Sequence, residues 1–120
     1  MPHIDSVEFG SIVVDGKKYH QVLIVGSEVV ERNQAKLQDL FSTTHRIGDW
    51  ETESLMVGQP EMILVATGFD GAMEVDIKFV DTAIKNGVGV VVAQTPRAVN
   101  FYNEKTKQRK RINALIHTTC

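Results

Sequence analysis

Cysteine is almost absent from this chain of 120 residues, in which Cys120 is the only one. No disulfide can form within the chain, so we expect a reducing compartment, the cytoplasm. No apolar run approaches the ~20 residues that a membrane span requires. The segment Met1 to Phe9 has no apolar core of signal-peptide length and carries Asp5 and Glu8. The sequence therefore predicts a cytoplasmic protein without a membrane segment.

An excess of charge of either sign is also absent. The formal net charge is -2 and the pI is about 6.1, which gives no global reason to bind nucleic acid or an anionic membrane. A local exception is the basic run Lys105 to Arg111 at the end of a predicted helix. Cations there complement the helix dipole, and the run lacks the interleaved aromatics of single-stranded nucleic-acid sites. We expect a solvated face, with RNA or phosphate contact as the alternative.

Motifs of the common enzyme classes are missing as well. There is no G-x-S-x-G nucleophile turn, and no glycine-rich phosphate fingerprint leads directly into a helix. His3, His20 and His45 show no metal-ligand spacing, and His117 with Cys120 supplies too few ligands for zinc. A thiol at a chain end is seldom held rigidly enough to act as a nucleophile. We expect no metal and no cofactor, and no reaction follows from the sequence.

The first part of the chain has a β pattern. Apolar residues of β-forming type recur from Ile4 to Val25, interrupted by Asp15-Gly16. An Asp-Gly pair between two such runs predicts a type I′ hairpin, because both central residues of that turn need positive φ. We predict an antiparallel meander over about residues 4–32, in which Ser27 to Arg32 adds a short final strand.

The next segment gives weaker signals. Leu37, Leu40 and Phe41 have helical spacing, but residues 33–48 are polar and run through Ser42-Thr43-Thr44-His45, which is typical of a loop. We assign no element there. Asp49 is predicted as the N-cap of a short helix that ends near Val57.

Residues 61–120 alternate strand and helix. The pattern predicts a strand over Met62 to Ala66, a helix over Ile77 to Lys85, a strand over Val88 to Ala93, a helix from Thr95-Pro96 to Lys107 and a strand over Ile112 to His117. Asp76 and Thr95 are the predicted N-caps. A helical crossover makes the first two strands parallel neighbours. No linker separates the two halves, so we predict one domain over residues 1–120.

The loop Thr67-Gly68-Phe69-Asp70-Gly71 is the most suggestive candidate site, because ligands bind beyond the carboxyl ends of strands in open α/β sheets. Asp70 would repel an anion and the next helix begins too late for a phosphate loop. A structural turn or pocket wall is the favoured interpretation. The start of the Thr95 helix is expected at the same sheet edge, where a small anion is the alternative to a plain cap.

Three stretches together resemble a known family. They are Phe9-Gly10 followed by the glycine-turned hairpin, the loop Thr67 to Gly71, and the ending Thr95-x-x-Ala98-Val99-x-x-Tyr102-Asn103 through Arg111 to Ile116-His117-Thr118-Thr119-Cys120. They resemble the small single-domain family of uncharacterised archaeal and bacterial proteins whose animal members include the adipogenesis-associated protein and a mitochondrial complex I assembly factor. The resemblance spans nearly the whole chain.

The resemblance implies an α/β fold of three layers, with a central mixed sheet, an N-terminal antiparallel β-ribbon layer and helices packed on the sheet. It implies no established enzyme activity, since family members look like binding or assembly proteins and some form oligomers. The residues that match recurrent family positions are His45, Thr67, Gly68, Gly71, Thr95, Tyr102, Asn103 and His117. Residues 33–46 depart from the usually more basic family pattern, so the surface of that segment is not transferred.

Two hypotheses follow. The first is a non-catalytic binding or assembly module with a small polar pocket near the Gly68 loop and the Thr95 helix start, and with an unknown protein partner or further copies of itself. The second is an enzyme acting on a small anionic substrate, with His45 or His117 as the acid–base group.

Overall fold

Two β-sheets form the frame of the protein in the computed structural model, which describes residues 1–120. The strands are β1 (Ile4–Glu8), β2 (Ser11–Val14), β3 (Lys17–Tyr19), β4 (Val22–Val25), β5 (Glu28–Glu31), β6 (Met62–Thr67), β7 (Gly89–Ala93) and β8 (Ile112–His117). The helices are α1 (Gln34–Phe41), α2 (Asp49–Leu55), α3 (Ile77–Lys85) and α4 (Thr95–Lys107). The small sheet has the order β1-β2-β3 and the central sheet the order β5-β4-β8-β6-β7.

The predicted hairpin is confirmed, but the predicted meander is divided between the two sheets. Asp15 and Gly16 have φ of 48° and 78°, as a type I′ turn requires. After Tyr19 the chain leaves the small sheet, and β4 pairs antiparallel with β8. Val22, Leu23 and Ile24 are all buried. A strand with this pattern is covered on both faces, which only the central sheet provides.

The central sheet is mixed, as predicted. β6 pairs parallel with β7 on one side and with β8 on the other, which confirms the helical crossover. β6 is buried from Ile63 to Thr67. The run Val88 to Ala93 is equally apolar, yet β7 lies at the edge of the sheet and leaves Val92 half exposed. An apolar run alone does not distinguish a central strand from an edge strand.

The core consists of two apolar layers, one on each face of the central sheet. The first lies between that sheet, α4 and the small sheet, and contains Ile4, Ile12, Val14, Leu64, Ala98, Tyr102 and Ala114 among others. The second lies under α2 and α3 and contains Leu23, Leu55, Ile63, Phe79, Ala83 and Leu115 among others. This arrangement confirms the three-layer α/β fold. None of the helices is both long and apolar enough to cross a membrane.

Helix starts account for most of the differences from the predicted elements. α1 forms where no element was assigned, because the side chain of Asn33 caps it by accepting from the amide of Lys36 at 3.0 Å. α2 starts after Gly48, so Asp49 is its first residue and not its N-cap. Glu51 Oε1 instead accepts from the amide of Gly48 at 3.0 Å. The predicted cap at Asp76 is confirmed, since its carboxylate accepts from Lys78 at 2.9 Å.

Candidate functional site

The carboxyl ends of β6 and β8 meet the start of α4. The sequence pattern predicted that the end of β6 and the start of α4 share this edge, but not that β8 ends there. Thr95 is completely buried there and joins both strands. Its hydroxyl accepts from the amide of Gly68 at 2.9 Å and donates to the main-chain oxygen of His117. The N-cap of α4 is therefore Gln94 and not Thr95. The amide of Thr95 also donates to Gly68 O at 3.0 Å, so these two segments bond directly to each other.

The Gly68 loop binds the chain's own residues 119 and 120. The amide of Phe69 donates to Thr119 O at 2.8 Å, and those of Asp70 and Ala72 donate to Cys120 O at 2.8 and 3.0 Å. The two amides that converge on Cys120 O resemble the amide nests that elsewhere bind anions. Here the nest holds main-chain oxygen of the same molecule.

His117 lies behind this loop, fully buried, with both ring nitrogens in hydrogen bonds. Nδ1 is 3.0 Å from Gln21 Oε1, and Nε2 is 3.1 Å from Thr119 Oγ1. Arg32 Nη1 donates to the same Gln21 oxygen at 2.8 Å, which identifies that atom as an acceptor. Nδ1 of His117 is therefore the donor, and Nε2 accepts from the Thr119 hydroxyl. Burial, with Arg32 and His45 adding smaller contributions, lowers the pKa of His117 to about 4.

Acid is expected to destabilise the protein through His117. Its pKa is about 4 in the folded state and 6.5 when unperturbed, so between these values the unfolded state binds more protons. The stability contributed by neutral His117 is complete above pH 6.5 and is lost as the pH falls towards 4, by up to roughly 3 kcal/mol in all. Urea unfolding at a series of pH values measures this slope. His117→Gln should flatten it, and an unchanged slope would contradict the assignment.

A buried ion pair completes the cluster. Arg32 Nε donates to Glu51 Oε2 at 2.7 Å and Nη2 donates to Oε1 at 2.8 Å, with both side chains at 0% exposure. Nη1 also donates to Thr44 O at 3.2 Å and Nη2 to Arg46 O at 2.9 Å. With the bond to Gln21, all five guanidinium donors are used. Sequence reasoning missed Arg32 and Gln21. One sequence feature could have pointed to Glu51. It lies three residues after a helix N-cap, where a glutamate side chain commonly accepts from the N-cap amide.

His45 lies on the loop that Arg32 fastens over the cluster. Its ring meets the His117 ring edge-on, with centroids 4.9 Å apart. It is half-buried, whereas His117 is completely buried. Its main-chain oxygen accepts from the amide of Glu74 at 2.9 Å, which ties this loop to the segment after Gly71. The structure thus brings together six of the predicted site residues: His45, Thr67, Gly68, Gly71, Thr95 and His117.

Tyr102 and Asn103 do not join this cluster. They follow Thr95 by two turns of α4, roughly 10 Å along the helix axis. The Asn103 side chain pairs with the backbone of Ile4, accepting at 3.0 Å and donating at 2.8 Å, and so fastens β1 to α4. Tyr102 is buried in the first core layer and its hydroxyl has no hydrogen-bond partner. Burial, together with Asp15, raises its pKa.

The basic run lies at the far end of α4. Lys107, Arg109, Lys110 and Arg111 line a groove of about 700 Å³ with the first residues of the chain. The ammonium of Lys105 lies 5.6 Å from the centre of the Phe101 ring, and Arg111 forms a long, exposed contact of 3.9 Å with Glu61. The main-chain bond from Arg111 to the Glu61 carboxylate is the main reason that the pKa of Glu61 is lowered.

The fold defines a three-layer α/β protein. At the edge where β6 and β8 end, its polar residues are buried and bond to groups of the same chain. Residues 4–117 match the model of the family described as "protein of unknown function (DUF498/DUF598)", and the chain belongs to that family. The solved structure of conserved hypothetical protein PH1505 from Pyrococcus horikoshii OT3 is similar, with a TM-score of 0.83, 27% identity and 98% of each chain covered. The structure of MT938 has a TM-score of 0.77 and 25% identity over the whole of both chains.

A more distant structure shows the fold alone. A protein from Bordetella pertussis, described as an Mth938-like domain, has a TM-score of 0.64 and 17% identity, with 97% of this chain and 85% of that chain covered. The family match and the archaeal structure confirm the predicted membership in a small family of unknown function, and the Bordetella structure shows that the fold also occurs in a bacterial protein.

Proposed function

We propose that the protein is a non-catalytic binding or assembly module that acts in the cytoplasm. The observation that carries this proposal is the use of the polar cluster within the fold itself. Both ring nitrogens of His117 are bonded internally, all five donors of Arg32 are used, and the Thr95 hydroxyl bridges two strands. Groups that are buried and fully hydrogen-bonded stabilise a fold and leave little to meet a substrate.

The sequence resemblance supports the same function. The animal members of the family that the sequence resembles include an adipogenesis-associated protein and a mitochondrial complex I assembly factor, for which binding to other proteins is the implied role. In this interpretation, the Gly68 loop and the ending through Cys120 resemble the family because they are structural elements. They hold in place a surface that the family members have in common.

An aromatic patch on that surface is the proposed contact for a protein partner. The patch consists of Phe9, which is 61% exposed, and Phe69, with ring centroids 6.0 Å apart. Gly10 N donates to Thr118 O and Phe69 N donates to Thr119 O, each at 2.8 Å, so the loops of both rings are fastened to one segment. Exposed aromatic side chains on rigid supports are typical anchors of protein interfaces.

The enzyme alternative has one supporting feature, the half-buried ring of His45 beside the neutral His117. A small anion at the Gly68 loop would have to displace Cys120 O from the amides of Asp70 and Ala72. The exchange would break the two hydrogen bonds to Cys120 O and is therefore unfavourable. For this reason we propose a binding function in preference to a catalytic one.

Partner capture tests the aromatic patch. Phe9→Ser is expected to reduce recovery of a specific protein from the organism's own extract by about tenfold or more, as for a hot-spot residue. Leu40→Ser is the matched control, because Leu40 is also 61% exposed but lies on α1. Quantitative mass spectrometry of the captured proteins gives the readout. Equal recovery by both variants would contradict the proposal, as would a turnover in a metabolite screen that His45→Ala abolishes.

A further inference from the structure

One edge of the central sheet is unprotected. β7 has the sequence Gly-Val-Val-Val-Ala, without charge or proline, and forms the last strand of the sheet. The opposite edge, β5, begins and ends in Glu28 and Glu31. Charged side chains are a usual protection of edge strands against pairing with another chain. β5 carries that protection and β7 does not.

The outer side of β7 carries unpaired backbone groups. The amide of Gly89 donates to Glu61 O in the β6 direction. In a parallel pair, alternate residues direct both backbone groups to the same neighbour, so Val91 and Ala93 also face β6. The N–H and C=O groups of Val90 and Val92 therefore point outward, where no other strand of this chain lies.

Exposed apolar side chains lie along the same edge. Val92 is 49% exposed on the sheet face that α3 covers. Ile77 and Ile84 of α3 are 75% and 64% exposed and lie seven residues apart, on one flank of the helix. The other flank, with Lys78 and Thr82, shares a hollow with α2, which packs over the interior strands. The flank with Ile77 and Ile84 is thus directed towards the free edge of β7.

We propose that β7 pairs antiparallel with β7 of a second copy of this chain, forming a two-fold dimer with one continuous ten-stranded sheet. The two-fold axis passes beside Val91. Val90 of each copy then lies opposite Val92 of the other, and their outward backbone groups form four hydrogen bonds. This surface is separate from the Phe9–Phe69 patch, so the dimer goes beyond the proposed partner binding.

The helices fit the same symmetry. α3 lies on β7 and packs against the β6 side chains. Its axis therefore lies over the gap between β7 and β6. Neighbouring strands are ~4.8 Å apart, so the axis of α3 is about one strand spacing from the two-fold axis, and α3 and its symmetry mate are separated by about two, roughly 10 Å, an ordinary helix-packing distance. They run antiparallel, which places Ile77 of one copy near Ile84 of the other. It also brings Asp76, before the start of the helix, towards Lys85 at the end of its mate, an attractive charge pairing.

A second copy is the occupant that this edge fits best. Self-pairing of β7 places only valine, glycine and alanine opposite one another, so no charge is buried. The same symmetric pairing of β5 would bring Glu28 opposite Glu31, which repels. The two edges can be compared by the same substitution at one valine on each. Val92 on β7 and Val30 on β5 are similarly exposed, at 49% and 46%.

Sedimentation equilibrium under reducing conditions tests the dimer. The wild-type chain is expected at twice its 13.4 kDa mass, whereas Val92→Lys is expected to weaken association about 100-fold, because each copy contributes one lysine to the interface. Val30→Lys should leave the dimer intact. Thermal unfolding verifies that both variants fold, and hydrogen exchange should show protection of the Val90 and Val92 amides that Val92→Lys removes.

Three outcomes would overturn the proposal: a wild-type monomer across the micromolar range, a dimer that Val30→Lys but not Val92→Lys dissociates, or a dimer whose Val90 and Val92 amides exchange freely. Phe9→Ser should remain dimeric. A monomeric wild type whose partner capture still depends on Phe9 would refute only this inference, and a dimer whose partner capture Phe9→Ser leaves unchanged would refute only the proposed partner binding.

Discussion

Alanine at position 68 is expected to destabilise the protein by roughly 3–4 kcal/mol, as the sum of backbone strain and overpacking. Gly68 has φ of +102°, a conformation that side chains with a Cβ rarely adopt. A Cβ there would lie 2.4 Å from the main-chain carbon of Cys120 and 2.8 Å from His117 Cδ2. Backbone and a fully hydrogen-bonded ring cannot move aside cheaply, so the loop and residues 118–120 would separate.

Gly87→Ala is the control for backbone strain alone. Gly87 also has positive φ, +74°, but a Cβ there meets nothing within 4 Å. Its expected cost is the left-handed penalty of about 1 kcal/mol. Urea unfolding of both variants gives the comparison. Equal losses at the two positions would show that the contact of Gly68 with Cys120 and His117 is not made in solution.

Arg32→Met is expected to lower the free energy of unfolding by about 3–5 kcal/mol, the usual loss when one partner of a buried ion pair is removed. The substitution leaves the Glu51 carboxylate buried without its cation. It also removes the donors to Thr44 O and Gln21 Oε1, which stay buried, and to the partly buried Arg46 O. Chemical unfolding at neutral pH measures the loss.

Two controls show whether burial is the cause. The double variant Arg32→Met/Glu51→Leu removes both charges and should recover part of the stability, since the penalty of an isolated buried charge disappears. Arg111→Ala breaks the exposed contact with Glu61 and should leave the unfolding midpoint nearly unchanged. A double variant no more stable than Arg32→Met alone would contradict this account.

Sequence reasoning found the elements whose signals are local. Asp15-Gly16 predicted its own turn, Asp76 its own helix start, and the order of strands and helices after residue 61 predicted the parallel pairing of β6 and β7. These features depend on a few neighbouring residues or on the handedness of crossovers. That is why most strands and helices could be predicted from the residues, whereas the three-layer arrangement was an implication of the family resemblance.

The remaining features depend on contacts that are distant along the chain. Gln21 meets His117 across 96 positions, and Arg32 meets Glu51 across 19, and no local pattern marks such pairs. Thr95 was correctly placed at the sheet edge, but its preference for capping predicted the wrong bond. The packing of two strand ends overrode that preference, since a buried hydroxyl must satisfy whichever backbone groups surround it.

The position of β8 in the sheet has a consequence for synthesis and folding. β8 lies between β4 and β6, although it follows every other strand in the sequence. Until residues 112–117 leave the ribosome, the central sheet consists of two separate halves, each with an unfinished inner edge. Closure of the sheet must therefore be a late, long-range event, which is slow and leaves apolar strand edges open to aggregation in the meantime.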